Sequence, residues 1–238
     1  QPTPPAQATL ERVQAGEPLP GHSRQTVKQL AKAYRFFHWH VEYPEIFTEE
    51  DPGFDAVLGN PPWEQIQFDA REYFAAERPE IANAPNMSAR NRMITALENE
   101  DMTLFEAYIE AKRRIDVVKH FIHDSGAFPK SSFGRLNTAP CFTERFMRVV
   151  SNFGRSGLIV PTGIATDSFN QYLFREIIED KILVSLYDFE NRKGIFPGVH
   201  RSYKFCLLSM SGTESPVEEA QFVFFAHQTS DLRDPERR

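Results

Sequence analysis

Residues 54–63 read FDAVLGNPPW, and this stretch decides how the rest of the chain is interpreted. Residues 54–59 are short, mostly apolar and preceded by Gly53, which is the profile of a buried β-strand. The strand runs directly into Asn60-Pro61-Pro62-Trp63, where two successive prolines fix φ and remove two backbone N–H donors. The pattern therefore predicts a strand that ends in a stiff turn.

The chain on both sides of this stretch alternates helical and strand patterns. Upstream, apolar residues recur at helical spacing from about residue 24 to residue 39. Downstream, residues 64–125 are mainly helical in pattern, residues 126–135 resemble a loop, and a helix follows that ends near Gly154. Asp167 or Ser168 can cap a later helix. Strands are predicted at residues 158–160, 182–187, 203–210 and 221–225, the last two as an antiparallel pair.

This order of elements predicts an α/β fold. Sites in parallel sheets of that class lie at the carboxyl ends of the strands, and Asn60 stands at one such end. Residues 1–23 are rich in proline and glycine and predict a linker, residues 24–228 predict the folded domain, and residues 229–238 predict a polar tail.

Composition excludes several classes of protein. The chain has 238 residues, of which 41% are hydrophobic and 25% charged, so collagen-like and wholly disordered chains are excluded. No run approaches the roughly 20 apolar residues that cross a bilayer, and we expect a cytoplasmic protein. Cys141 and Cys206 lack a CxxC spacing, which argues against a disulfide framework or a cysteine-ligated metal and predicts two buried thiols.

Charge is unevenly distributed along the chain. The net charge of −6 argues against a protein that coats nucleic acid through bulk electrostatics. Residues 101–156, however, carry nine basic and six acidic side chains. The basic residues in or beside loops near the predicted site are the better candidates for phosphate contacts. They are Lys130, Arg135, Arg192, Lys193, Arg201 and Lys204.

The Asn-Pro-Pro-Trp turn suits methylation of an amide-like nitrogen. An exocyclic amine on a heteroaromatic ring is a poor nucleophile, because its lone pair is delocalised into the ring. Two acceptors placed on its hydrogens favour pyramidal geometry and stabilise the developing charge. The Asn60 side-chain oxygen and the Pro61 carbonyl can be those acceptors, and the flat face of Trp63 can stack on a base flipped from the duplex.

Through this turn the sequence resembles the adenine-specific, amino-group DNA methyltransferases, whose catalytic motif is (D/N/S)PP(Y/F/W). Residues 36–47 and 53–63 resemble the run up to and including that motif in large bacterial methylases of bifunctional restriction-modification systems. Residues 157–167 (GLIVPTGIATD) and 188–208 (DFENRKGIFPGVHRSYKFCLL) resemble later motifs of the same proteins. The resemblance covers roughly residues 35–210, except the 64–135 insertion.

The resemblance implies a partial Rossmann-like sheet of the class I methyltransferases, which use S-adenosylmethionine as cofactor and DNA as substrate. Asn60 and Pro61 would hold the adenine N6 amine, Trp63 would stack on the base, and Pro62 completes the motif. Phe196 is the candidate for the second face of the base, with Lys193 and Arg201 as substrate-binding residues.

The family's Gly-rich cofactor loop has no counterpart, because none of the 12 glycines forms a GxG sequence. The resemblance therefore implies a C-terminal part of the catalytic domain, whose partners are the missing N-terminal half and a target-recognition domain. We expect the isolated chain to be inactive.

Other interpretations remain open. The turn could be purely structural. The same motif could methylate a glutamine amide in a protein, or the chain could be a non-catalytic DNA-binding or assembly module. The histidine pairs His38 and His40, and His120 and His123, lack the further ligands of a metal site, so no metal is expected.

Overall fold

The computed structural model describes residues 7–234, apart from the side chain of Gln7. Its residues divide into two compact units, with the boundary between Phe47 and Thr48. The predicted linker contains a helix, since α1 spans Gln7–Gln14. Residues 1–6 of the predicted linker and residues 235–238 of the predicted polar tail lie outside the described residues.

The first unit is helical, and none of its described side chains is buried. It comprises α2 (Gly21–Tyr34) and α3 (Trp39–Glu42) in addition to α1. The helix predicted to reach residue 39 ends earlier, because Arg35 adopts a left-handed conformation with φ of 48° and its N–H caps the Ala31 carbonyl. The apolar stripe of α2 is exposed to solvent.

The second unit is built on a five-stranded sheet. Its strands are β1 (Phe54–Gly59), β2 (Val150–Pro161), β3 (Leu183–Glu190), β4 (Lys204–Ser211) and β5 (Gln221–Ala226). The bounds of β1 are those predicted. The sheet order is β1-β2-β4-β3-β5, and β4 alone runs against the other four strands. The predicted α/β class is confirmed.

Among the described residues, seven α-helices accompany this sheet. α4 (Ala70–Phe74), α5 (Pro79–Ala82), α6 (Met87–Glu100) and α7 (Met102–Asp124) form the predicted helical insertion. α8 (Thr138–Val149), α9 (Gly163–Thr166) and α10 (Gln171–Glu179) follow, with a 3-10 turn at Ser168–Asn170 before α10. The helices of the insertion bury a small core around Phe74, Leu97 and Tyr108, separate from the core of the sheet.

The C-terminal strand pair differs from the prediction. β4 and β5 do run in opposite directions, but they do not pair, because β3 lies between them. Both edges of β4 are already hydrogen-bonded, one to β2 and the other to β3. The remaining edge of β3 accepts β5, which buries Val223 and Ala226. Phe222 is exposed, because it lies on this outer strand.

β2 is longer than predicted, and glycine is the reason. The predicted helix end near Gly154 is wrong: α8 ends at Val149, and Gly154 and Gly157 both lie inside the strand. The strand register shifts near Gly154, where a Cβ would collide with the carbonyls of Phe54 and Asp55. Glycine here permits close approach of two backbones at a bulge.

Gly53 fixes the start of β1 and provides a stability test. Its φ is +132°, and a Cβ at this position would collide with the backbone of Val150 and Ser151. We expect Gly53→Ala to lower the free energy of unfolding by about 2 kcal/mol, measured by urea denaturation. Gly198→Ala is the matched control, because φ is not positive there and nothing lies within 4 Å. Equal effects of the two substitutions would contradict this account.

Within residues 7–234, every helix is too short or too polar to cross a bilayer.

Candidate active site

The carboxyl ends of β1, β2, β3 and β5 meet at one edge of the sheet, because these four strands share a direction. The Asn60 turn leaves the sheet at this edge. Residues 162–163 follow β2 there, and the loop 191–203, hereafter the aromatic loop, joins β3 to the start of β4. The sequence-predicted site residues are therefore brought to the same edge.

The turn keeps two hydrogen-bond acceptors open. Pro62 has its carbonyl occupied, because the Thr138 hydroxyl donates to it at 2.6 Å. By contrast, no donor among residues 7–234 hydrogen-bonds to the Asn60 side chain or to the Pro61 carbonyl. Asn60 is exposed and Pro61 is a buried residue. The two groups predicted to accept hydrogen bonds from an amine are thus free to do so.

The chain after the turn is held by backbone pairing. The Thr138 N–H donates to the Glu64 carbonyl at 3.0 Å, and the Ile66 N–H donates to the Leu136 carbonyl at 2.9 Å. The Glu64 N–H donates in turn to the Thr138 hydroxyl at 3.0 Å. This pairing attaches the chain after the turn to the first residues of α8. The two prolines are therefore held by β1 on one side and by this ladder of backbone hydrogen bonds on the other.

Trp63 is a half-buried anchor. Its indole N–H donates to the Ile159 carbonyl at 3.0 Å, and its ring packs against both cores beside the sheet. Tyr203 stacks on it with ring centroids 5.7 Å apart and planes only 8° from parallel. Phe196 lies at 6.0 Å but presents its edge, at 86°. Phe196, predicted from the sequence as the second face for the base, lies beside Trp63, and that role stays a prediction. Sequence reasoning missed Tyr203, although the aromatic in HRSYKF was a visible signal.

Asn191 organises the aromatic loop, and sequence reasoning did not single it out. Its side chain is fully buried. The amide nitrogen donates to the carbonyls of Phe196 and Val199, both at 2.9 Å, while the amide oxygen accepts from the Phe196 N–H at 2.9 Å. Its backbone N–H donates to the Tyr203 carbonyl. Asn191 therefore holds Phe196 through its side chain and Tyr203 through its backbone N–H.

Lys193 and Arg201 are exposed on the same loop and bond within the chain. Lys193 donates to the Gln228 side chain at 2.8 Å, and Arg201 donates to the Arg192 carbonyl at 3.1 Å. The Arg201 guanidinium packs against Gly194, whose φ is +72°. Each cation keeps further donors for a phosphate. Their substrate-binding role stays a prediction.

Asp188, in β3, forms hydrogen bonds with residues at the ends of β2 and β5 beside the site. Thr162 donates to one carboxylate oxygen at 2.6 Å, and the Phe225 N–H donates to the other at 3.1 Å.

Burial and the neighbouring Asp188 raise the pKa of the Cys206 thiol to about 12. Both cysteines are buried, as predicted, and burial also raises the pKa of Cys141. Neutral, buried thiols are poor nucleophiles, which favours a packing role.

The described residues do not fit a glycine-rich cofactor cradle. Gly53, Gly134 and Gly194 have positive φ, but a Cβ at each would meet atoms of this chain. Gly53 faces β2, Gly134 faces Phe169 and Gly194 faces Arg201. Gly16 and Gly126, also with positive φ, lie in open space and belong to no glycine run.

Comparison with solved structures gives partial similarities. A protein from Listeria monocytogenes assigned to the class I S-adenosylmethionine-dependent methyltransferases matches 78% of this chain at 11% identity, with a TM-score of 0.38. The DrdV–DNA complex matches 74% at 10% identity and a TM-score of 0.37. The type ISP restriction-modification enzyme LlaBIII, bound to DNA, matches 72% at 9% identity and a TM-score of 0.33.

This chain spans 39%, 15% and 10% of the lengths of those three solved chains, respectively. No curated protein matches the sequence significantly.

The family comparison falls on the segment that carries the turn. Residues 11–89 match the model of the Eco57I restriction-modification methylases. This range contains α2, β1 and the whole of Asn60-Pro61-Pro62-Trp63. The resemblance to the restriction-modification methylases, first indicated by that motif, is therefore confirmed.

Proposed function

We propose that the chain is the base-handling part of a DNA methyltransferase that acts on the N6 amine of a flipped adenine. The proposal rests on one observation about the turn. The Asn60 side chain and the Pro61 carbonyl accept no hydrogen bond from the described residues, whereas the Pro62 carbonyl accepts one from the Thr138 hydroxyl. An amine with two hydrogens matches such a pair of acceptors. Orienting those hydrogens exposes the nitrogen lone pair for attack.

The aromatic cluster supports a planar substrate. Trp63 and Tyr203 form a parallel pair, and the exposed Tyr203 stands at the solvent side of a rigid platform. Phe196 closes the cluster edge-on. Stacking on such rings can replace the stacking that a base loses when it leaves the duplex. In this proposal the chain's residues bind and orient the base, and the methyl donor is S-adenosylmethionine.

We propose that the cofactor site and the rest of the catalytic domain are formed by polypeptide other than these 238 residues. β1 is an edge strand that pairs only with β2 among the described residues, and Leu58 in it is 83% exposed. A strand so apolar in sequence is typical of the inside of a sheet. The proposed N-terminal half would add to this open edge, and a target-recognition domain would supply site selection in the cytoplasm.

The test is a methylation assay with product identification. The complete gene product that contains this sequence, and the 238-residue chain alone, are incubated with tritiated S-adenosylmethionine and either plasmid DNA or cell protein. We expect label in DNA from the complete product only, recovered as N6-methyladenine after digestion to nucleosides. Label recovered as N5-methylglutamine in protein would overturn the proposal. Methylation of DNA by the isolated chain would overturn the fragment interpretation.

A further inference from the structure

A second aromatic surface lies beside the candidate active site, and the function proposed above does not use it. Phe133, Phe169 and Tyr172 are 39%, 47% and 42% exposed, which is unusual for three large rings in one place. The rings of Phe133 and Tyr172 are in contact, with centroids 4.5 Å apart. We call these three residues the outer aromatic patch.

The patch is built rigidly. Gly134 has φ of +63°, and the ring of Phe169 lies so close that a Cβ on Gly134 would collide with it. The beginning of the same loop is fixed by the buried carboxylate of Glu144, which accepts the Ser131 hydroxyl at 2.6 Å and the Ser131 N–H at 2.9 Å. Holding exposed aromatic rings in place in this way lowers the entropy lost on binding a partner.

Positive charge surrounds the patch. The guanidinium of Arg175 stands 5.9 Å from the centroid of the Tyr172 ring. Arg135, next to Gly134, is exposed and has no ion pair with any carboxylate in residues 7–234. Lys130 pairs with Glu176 at 3.2 Å, and Asp167 is the acidic residue that faces the same cleft. Aromatic faces interleaved with unpaired cations match the bases and phosphates of a nucleic-acid strand.

The cleft next to the patch connects it to the proposed catalytic turn. It has a volume of about 560 Å³, and its lining includes Arg135, Phe169, Asn137 and Gln65. Gln65 pairs with Asn137 in the backbone ladder that follows Trp63. A strand passing along this cleft would therefore lie beside the segment that carries the turn.

We propose that the outer aromatic patch binds unpaired nucleotides of the DNA strand next to the flipped base. This inference rests on the proposed function, because extruding a base breaks its pair and removes one stacking partner from each neighbour, so that unpaired and partly unstacked bases lie next to the site. Rings such as Phe133 and Tyr172 would stack on those bases, and Arg135 would contact the phosphates. The interaction is independent of sequence, since every base has a π-face.

The experiment measures DNA binding without any methylation. A fluorescein-labelled 12-nucleotide oligo-dT is titrated with the 238-residue chain, and fluorescence anisotropy gives the Kd. We expect Phe133→Ala and Tyr172→Ala each to weaken binding about tenfold, because stacking on one aromatic ring contributes at that level. Tyr172→Phe should bind like the wild type. Arg135→Ala should weaken binding and reduce its salt dependence.

Phe153→Ala is the matched control, because Phe153 is also an exposed phenylalanine but lies in β2 and belongs neither to the outer aromatic patch nor to the lining of the cleft. The exposed rings can be removed without opening a core, and circular dichroism verifies the fold of each variant. Unchanged Kd values for the patch variants, or equal loss in Phe153→Ala, would overturn the inference.

A patch that instead mediates protein contacts would also overturn the inference. That alternative predicts that the chain self-associates in analytical ultracentrifugation. It also predicts that Phe133→Ala abolishes the self-association without changing the Kd for DNA. Since no cofactor or methyl transfer is involved, failure here is distinguishable from failure of the proposed reaction. Failure of that reaction would appear only in the methylation assay.

Discussion

Asn60→Ala in the complete enzyme should reduce methyl transfer by a factor of about 10² or more, while DNA binding changes little. The substitution removes one of the two acceptors that the turn keeps open for the substrate amine. Because Asn60 is exposed and its side chain makes no hydrogen bond within the described residues, we expect no loss of stability. Single-turnover transfer from tritiated S-adenosylmethionine measures the first effect, and anisotropy with duplex DNA measures the second.

Asn60→Asp is the informative control for this prediction. A carboxylate keeps an acceptor oxygen in the same place, and we expect it to retain much more activity than alanine. A structural role of the turn predicts a different pattern: both substitutions would lower the thermal midpoint, and Asn60→Ala would impair DNA binding and catalysis equally. That pattern would count against the catalytic assignment.

Asn191→Ala is expected to be among the most damaging single substitutions in the second unit. It deletes three hydrogen bonds of 2.9 Å from a fully buried side chain and leaves the carbonyls of Phe196 and Val199 without that donor. Each buried polar group left unsatisfied costs about 1–3 kcal/mol, so we expect a loss of about 3 kcal/mol in the free energy of unfolding. Urea denaturation of the 238-residue chain measures it.

Two variants separate the contributions of Asn191. Asn191→Asp keeps the acceptor for the Phe196 N–H but replaces the donor with an oxygen that repels two carbonyls, so we expect it to be destabilising as well. Asn91→Ala is the matched control, because Asn91 is exposed on α6. Trp63 fluorescence should change in Asn191→Ala, since the aromatic loop packs against that ring. A stability equal to that of Asn91→Ala would contradict the assigned role.

Features that depend on local pattern follow from contiguous residues and are predictable before the fold is known. The run from Phe54 to Gly59 has the apolar character and flanking glycines of a strand, and the structure places β1 at those bounds. The turn that follows is stiff because proline fixes φ wherever it occurs. The family resemblance also arose from contiguous residues, and the family match covers the same segment.

Only the tertiary structure decided which distant residues meet. Trp63 donates to a carbonyl 96 residues away, and its parallel partner is Tyr203, a choice that spacing along the chain could not make. The insertion of β4 between β2 and β3 likewise depends on which strand edges remain open after the other strands have paired.

Asn191 illustrates the physical reason for this division. In sequence it is a polar residue in a charged loop, where such residues are usually solvated. In the fold its amide is enclosed by the carbonyls of its own loop, so that burial turns it into the residue that positions Phe196. Local propensities act within a few residues, whereas burial and hydrogen-bond partners are properties of the packed chain, and the candidate site depends on both.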